Sequence, residues 1–70
     1  MDIKLLDVVA LLEDLPSRGL VRGQVGTVVE KLGPGAFEVE FSDNEGRTYA
    51  SAALQTSQFL ILRHDTVPAA

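Results

Sequence analysis

The sequence predicts an all-β fold, a small SH3-like barrel of about five strands with one short helical turn near the last strand. Two runs rich in β-branched and aromatic residues, 26–32 and 37–41, flank a Gly-Pro-Gly-Ala stretch in the pattern of a hairpin. Turn-forming clusters separate the apolar runs and leave no room for a long helix. We expect one domain over residues 1–63, followed by a flexible tail over 64–70.

The first element, within residues 7–16, is the most ambiguous. Several of its apolar residues would share one face of a helix, but Leu6 and Leu11 interrupt that stripe. Paired valines followed by Asp-Leu-Pro favour a strand that runs into a loop. The next cluster, Pro-Ser-Arg-Gly at 16–19, indicates a turn.

The hairpin provides the clearest pattern. In residues 37–41 two glutamates alternate with apolar residues, so one face of this strand is buried and the other is wet. A four-residue loop would place Lys31 opposite Glu38 and Leu32 opposite Phe37. A three-residue loop would instead oppose Glu30 and Glu38, two like charges. We therefore predict the pairing of Lys31 with Glu38.

The second half of the chain predicts a turn at 42–47, a strand of small side chains at 48–54, a helical turn at 55–58 and a last strand at 59–63. Gly46 suits a positive φ within the first of these turns. The small side chains of the strand at 48–54 indicate the close approach of another backbone. The predicted core residues are Val8, Ala10, Val28, Leu32, Phe37, Val39, Phe41, Leu54, Leu60 and Leu62.

Composition excludes several classes of site. The chain carries ten acidic and six basic residues, a net charge of −4, whereas nucleic-acid modules are usually basic. It has no cysteine, and a single histidine cannot build a zinc site, so we expect no metal and no cofactor. The longest apolar run is too short to span a bilayer, and the N-terminal residues lack the pattern of a signal peptide. We expect a cytoplasmic protein without membrane association.

Catalysis is not expected either. The only histidine, His64, falls in the predicted tail, far from a defined partner for Ser42, Ser51 or Ser57. The carboxylates of the 42–47 turn are expected to be solvated and to titrate normally. A domain of this size also has little depth for a substrate pocket. We therefore predict that the protein is not an enzyme.

The stretch Leu-Val-Arg-Gly-Gln-Val-Gly-Thr-Val-Val-Glu, residues 20–30, admits three interpretations. A phosphate cradle is excluded because a strand follows the glycines where a helix would be needed. A nucleic-acid loop would use Arg18 and Arg22, but the acidic surroundings and the lack of spare aromatic residues oppose it. We favour the third interpretation, in which Gly23 and Gly26 let the chain bend sharply into a strand.

The order of these motifs, "DVVALLEDLP", "GLVRGQVGTVVE", "GAFEVEF" and "EGRTY", resembles domain-of-unknown-function family 4926, a family of short bacterial proteins. More distantly, the chain is similar to the SH3-like barrel of the nitrile hydratase beta subunit and to the KOW element. The resemblance implies the fold and a bacterial origin, but no activity. It is also consistent with one member of a two-protein pair, such as an immunity or antitoxin pair.

We expect a small binding module that recognises another protein, perhaps one encoded next to it, through a basic patch on that partner. Part of 8–12 or 59–62 is also expected to lie at a homodimer or partner interface, since these strands are apolar on both faces. The alternative is that the bent strands share both faces with the interior and the end closures of the barrel. A KOW-like RNA-binding barrel and an accessory subunit of a larger enzyme are the alternatives. The candidate interface combines charges with arginine and aromatic anchors, namely Glu13, Asp14, Arg22, Glu38, Glu40, Tyr49 and Phe59.

Overall fold

A computed structural model describes residues 2–63, which form one antiparallel sheet of five strands and two 3-10 turns. The strands are β1 (Val8–Leu11), β2 (Val25–Gly33), β3 (Ala36–Ser42), β4 (Thr48–Gln55) and β5 (Phe59–Ile61), and the 3-10 turns are Pro16–Arg18 and Thr56–Gln58. The all-β class and the helical turn before the last strand are thus confirmed. The predicted tail at 64–70 lies outside the described residues.

The strand order is β4-β3-β2-β1-β5, so the first strand is internal and the last strand forms an edge. Val9 of β1 pairs with Gly26 on one side and with Ile61 on the other. Within residues 2–63, no ladder joins the two edge strands β4 and β5. The SH3-like barrel closure remains a prediction.

One face of the sheet carries the core. Five of the ten predicted core residues are confirmed as buried, namely Val28, Phe37, Val39, Phe41 and Leu54. The other buried apolar residues are Val9, Leu11, Leu20, Ala52 and Phe59. The rings of Phe37 and Phe59 meet edge to face, with centroids 6.2 Å apart. This arrangement is a favourable aromatic geometry in a small core.

The other five core predictions are wrong, four of them because β1 and the stretch 59–62 turn their opposite faces inward. Leu60 is 54% exposed, and Val8, Ala10 and Leu62 are only partly buried. Successive side chains of a strand alternate between faces, so a shift of one residue exchanges the two sets. Both strands are apolar at consecutive positions, and their sequence cannot indicate which set faces the core. Leu32, 46% exposed, is misplaced because it is an unpaired bulge residue of β2.

The β2–β3 register differs from the predicted one. Glu30 pairs with Glu38, Lys31 with Phe37, and the loop shrinks to the pair Pro34–Gly35. The register shifts twice along β2, at Val29 and at Leu32, because each contributes an extra residue without a partner on β3. The prediction assumed a regular ladder, and it is wrong because two bulges lengthen β2. Gly35 adopts the positive φ of 70° that the short turn requires.

The Glu30–Glu38 pair predicts a stabilising substitution. Like charges directly opposite each other destabilise a sheet, and an opposite pair contributes roughly 0.2–1 kcal/mol. Glu30→Lys is therefore expected to raise the free energy of unfolding by about 0.5–1 kcal/mol in urea titrations at low salt. The gain should shrink in molar salt, because the Debye length then falls to about 3 Å. A gain that does not change with salt would contradict this electrostatic origin.

Candidate functional site

The loop between β1 and β2, residues 12–24, is an ordered surface structure. Leu15 and Leu20 form an isolated antiparallel bridge around the 3-10 turn Pro16–Arg18. Leu20 is 1% exposed and attaches this loop to the core. Gly23 has a φ of 91°, a conformation that favours glycine, and its N–H donates to the Leu11 carbonyl at 2.8 Å. The glycine therefore returns the chain to β2, in keeping with the bend that the sequence predicts.

Polar contacts join this loop to the start of β4. The backbone N–H of Arg22 donates to a carboxylate oxygen of Asp14 at 2.8 Å. Gln24 accepts a hydrogen bond from the Val21 N–H at 2.6 Å and donates through Nε2 to the Tyr49 hydroxyl at 2.7 Å. We call Asp14, Arg22, Gln24 and Tyr49 the Tyr49 cluster. Three of the seven predicted interface residues are thus brought together.

A second group lies on the outer face of the sheet. Glu38 and Glu40 alternate along β3 with the buried side chains, and Glu30 stands directly opposite Glu38. We call these three glutamates the acidic strip. The two ion pairs found within residues 2–63 both use Arg47, with Asp43 and with Glu45. The acidic strip therefore carries charge that no neighbouring arginine or lysine in the described chain neutralises.

The two groups are connected through the chain at the beginning of β4. The Thr48 hydroxyl donates to Glu40 at 3.4 Å, and Tyr49 follows it in the chain. Tyr49 is the extra residue of a β3–β4 register shift, because Phe41 pairs with Ala50 while Ser42 pairs with Thr48. The side chain of Tyr49 is 47% exposed. An exposed aromatic residue is suited to contact an arginine or lysine of another protein.

The two remaining predicted interface residues lie elsewhere. Glu13 is exposed and accepts a hydrogen bond from the Gln58 side chain at 3.3 Å. Phe59 is 5% exposed, pairs with Leu11 of β1 and packs on Phe37. Its selection as an exposed anchor is therefore corrected, since its ring is part of the core. The aromatic composition alone could not separate this buried ring from the exposed Tyr49.

The 42–47 turn is held by its own hydrogen bonds. The N–H groups of Arg47 and Glu45 donate to Asp43 Oδ1 at 3.0 and 2.9 Å. These bonds, and a weaker contribution from the Arg47 side chain, hold the pKa of Asp43 below its ordinary value. The expectation of a normal carboxylate is corrected for Asp43. A carboxylate stabilised in its charged form serves the turn as an acceptor, not as a proton donor.

Residues 2–63 contain no cluster of acidic or histidine side chains arranged to hold a metal ion. Ser42, Ser51 and Ser57 are exposed, and His64 lies outside the described residues. Neither helical turn of the described chain has the length and hydropathy of a membrane-spanning helix.

Three contributors to the site were not predicted from the sequence. Gln24 and Thr48 had no signal because isolated polar residues have no pattern that indicates a partner distant in the chain, whereas the pairing of Glu30 with Glu38 was rejected because it opposes two like charges. Gln24 and Tyr49 are 25 residues apart, and only the bulge in β4 and the return of the loop bring them together. The Glu30–Glu38 pairing likewise depends on the bulge at Val29.

A family model described as "Domain of unknown function (DUF4926)" matches residues 5–61 of the chain. Neither the curated proteins nor the solved structures yielded a match. The matched range includes the Tyr49 cluster, the acidic strip and all five strands.

Proposed function

The chain belongs to the DUF4926 family, and from its surface we propose that it is a non-enzymatic module that binds another protein through the acidic strip and the Tyr49 cluster. The observation that carries this proposal is the row of three glutamates without ion-pair partners in the described chain. Such a row attracts a basic patch and accelerates encounter with it. The partner is a protein with lysine or arginine side chains spaced along one face, and the product of a neighbouring gene is a candidate.

The Tyr49 cluster would supply binding free energy that the charges of the acidic strip alone do not. Surface ion pairs contribute little individually, with a typical range of about 0–1 kcal/mol. Aromatic and arginine side chains contribute more at interfaces, and Tyr49 and Arg22 are both exposed here. We expect the acidic strip to orient the partner and these two side chains to make the closer contacts. We propose that this binding takes place in the cytoplasm of a bacterial cell.

An RNA-binding barrel is the alternative of a different class. Arg18 and Arg22 are exposed in the β1–β2 loop, but the Asp14 carboxylate lies against the backbone of Arg22 in that same loop. Phosphate would be repelled there and along the acidic strip. An accessory subunit of a larger enzyme is compatible with the same protein-binding surface, and it differs only in what the partner does.

The test compares matched charge variants of the full chain in capture from the source cells. Glu38→Gln/Glu40→Gln removes two charges of the acidic strip, and Asp2→Asn/Glu45→Gln removes two exposed charges elsewhere. Since each charge contributes up to about 1 kcal/mol, we expect roughly tenfold weaker capture of a specific protein by the first variant alone. The wild type should also lose that protein as salt is raised.

Two results would contradict the proposal. Equal capture by both double variants would show that the acidic strip does not recognise the partner. Recovery of RNA, with loss of binding after nuclease treatment and a steep salt dependence, would instead support the alternative.

A further inference from the structure

The backbone of the edge strand β5 is only partly used by the sheet. Leu62 donates its N–H to the Val8 carbonyl at 2.8 Å, and Leu12 donates to the Gln58 carbonyl at 2.9 Å. Hydrogen-bonded pairs alternate with non-bonded pairs in an antiparallel ladder. These two bonds therefore place Leu60 in a hydrogen-bonded pair with β1 and leave Ile61 in a non-bonded pair.

Ile61 consequently directs both its N–H and its C=O away from β1, and the Phe59 carbonyl points the same way. Within residues 2–63 these three groups have no backbone or side-chain hydrogen-bond partner. The Phe59 N–H directly follows the 3-10 turn Thr56–Gln58 and is not one of these three groups. Unpaired donors and acceptors at a sheet edge are a template for another extended chain.

A groove of about 280 Å³ lies along this edge, lined by Ile3, Thr56, Phe59, Leu60 and Ile61. Successive residues of a strand point to opposite faces, so a groove that contacts three consecutive residues of β5 follows the strand edge. Ile3, half-buried against the core, provides the other wall. None of the five lining residues is charged, so the groove is suited to an uncharged, apolar side chain.

The dimensions favour a short peptide over other occupants. The volume lies at the lower limit of the range of roughly 300–1,000 Å³ that small-molecule pockets occupy. A three-residue edge is only about 10 Å long. A stable dimer buries about 800 Å² on each partner, which such an edge cannot supply by itself. An extended segment of another protein needs only the unpaired groups and the groove.

The other edge of the sheet also presents outward backbone groups, but it is partly covered. The Thr56 N–H donates to the Gly35 carbonyl at 3.2 Å. By the same alternation, the backbone N–H and C=O groups of Ser51, Ala53 and Gln55 point away from β3. The Gln55 N–H is already bonded to the Gln58 side chain, and the Pro16–Arg18 turn packs against β4. The free backbone groups and the groove coincide at β5.

We propose that the β5 edge binds an extended, uncharged segment of a partner protein as a sixth strand, with one apolar side chain of that segment against Ile3. The proposal rests on the proposed function in taking the partner to be a protein. It adds a second contact, three strands from β3, or about 14 Å measured along the sheet. The acidic strip would orient the partner, and this edge would hold one of its extended segments.

The test uses a capped heptapeptide of alternating threonine and valine, titrated at millimolar concentration into the isotope-labelled full chain. We expect exchange of the Ile61 amide with solvent to slow about tenfold on saturation. Chemical-shift changes should be confined to β5 and Ile3. Unchanged exchange at Ile61, or changes centred on Ser51 and Ala53, would overturn the proposal.

Two variants sharpen the assignment. Ile61→Pro removes the outward N–H, which β1 does not use, and proline is tolerated at such edge positions. Leu60→Glu places a charge at the rim of the groove, on a side chain that is 54% exposed, and Leu32→Glu is its matched control on another exposed leucine. Both β5 variants should abolish the shift changes at Ile3, and the control should retain them. Retention in Leu60→Glu would overturn the proposal even if Ile61→Pro failed to fold.

The outcomes distinguish this proposal from the proposed function. Protein capture that depends on the acidic strip, without peptide binding at β5, would reject the edge alone. Peptide binding at β5 without any captured protein that depends on the acidic strip would reject the proposed function alone.

Discussion

Phe41→Ala is expected to unfold most of the protein. Phe41 is fully buried and has the largest volume among the most deeply buried side chains. Truncation of a core phenylalanine costs about 3–5 kcal/mol, and a core of this size supplies only about 3–5 kcal/mol in total. Circular dichroism and the fluorescence of the single tyrosine, Tyr49, should show a largely unfolded protein without a cooperative urea transition.

The neighbours of Phe41 explain why this cavity cannot be refilled. Its partners are Gly26 on β2 and Ala50 on β4, two small residues that leave room for the ring. Neither neighbour can extend into the space that alanine would vacate. Phe41→Leu, which retains most of the volume, is the control and should leave a folded protein of reduced stability. If Phe41→Ala unfolded cooperatively at the same urea concentration as the wild type, the core would not depend on this ring.

Gly26→Ala is expected to destabilise the sheet by about 1–3 kcal/mol, the usual cost of overpacking. A β-carbon at this position would stand 2.7 Å from Val39 Cγ1, 2.8 Å from the Glu40 carbonyl oxygen and 2.9 Å from Phe41 Cδ2. The carbonyl belongs to the β2–β3 ladder and cannot move without distorting it. The measurement is the urea midpoint, with the slope of the transition unchanged.

Gly33→Ala provides the matched control for this prediction. Gly33 lies on the same strand, and a β-carbon there would meet no atom within 4 Å. The substitution lowers the entropy of the unfolded chain, so a gain of about 0.4–1 kcal/mol is expected. Equal effects at positions 26 and 33 would show that the close approach at Gly26 is unimportant. The prediction therefore requires that alanine lower the free energy of unfolding at position 26 and raise it at position 33.

The sequence predicted most about β3, where the alternation of glutamate with apolar residues has only one solution. Phe37, Val39 and Phe41 are buried as expected, and Glu38 and Glu40 lie on the outer face. The pattern is informative because burial of a carboxylate is costly, so only one orientation of the strand faces satisfies both sets of residues. The positive φ predicted for Gly46 is also confirmed, at 83°.

The candidate site could be predicted only in part. Asp14, Arg22 and Tyr49 were selected for their residue types, and the fold brings them together through Gln24. The selection of Phe59 was wrong because the sequence shows no difference between an aromatic anchor and an aromatic core residue. The edge groove at β5 had no signal at all, because it depends on the strand order and on the alternation of backbone hydrogen bonds.

What the sequence determined by itself is the all-β class, the positions of the turns and the inward face of β3, because these follow from local backbone preferences and from a single polar–apolar alternation. What only the tertiary structure decided is the face of β1 and β5, the bulges of β2 and the meeting of the loop with Tyr49. Strands that are apolar at every position can be buried on either side, and a bulge changes all later pairings at little local cost. The choice is made by packing against distant strands.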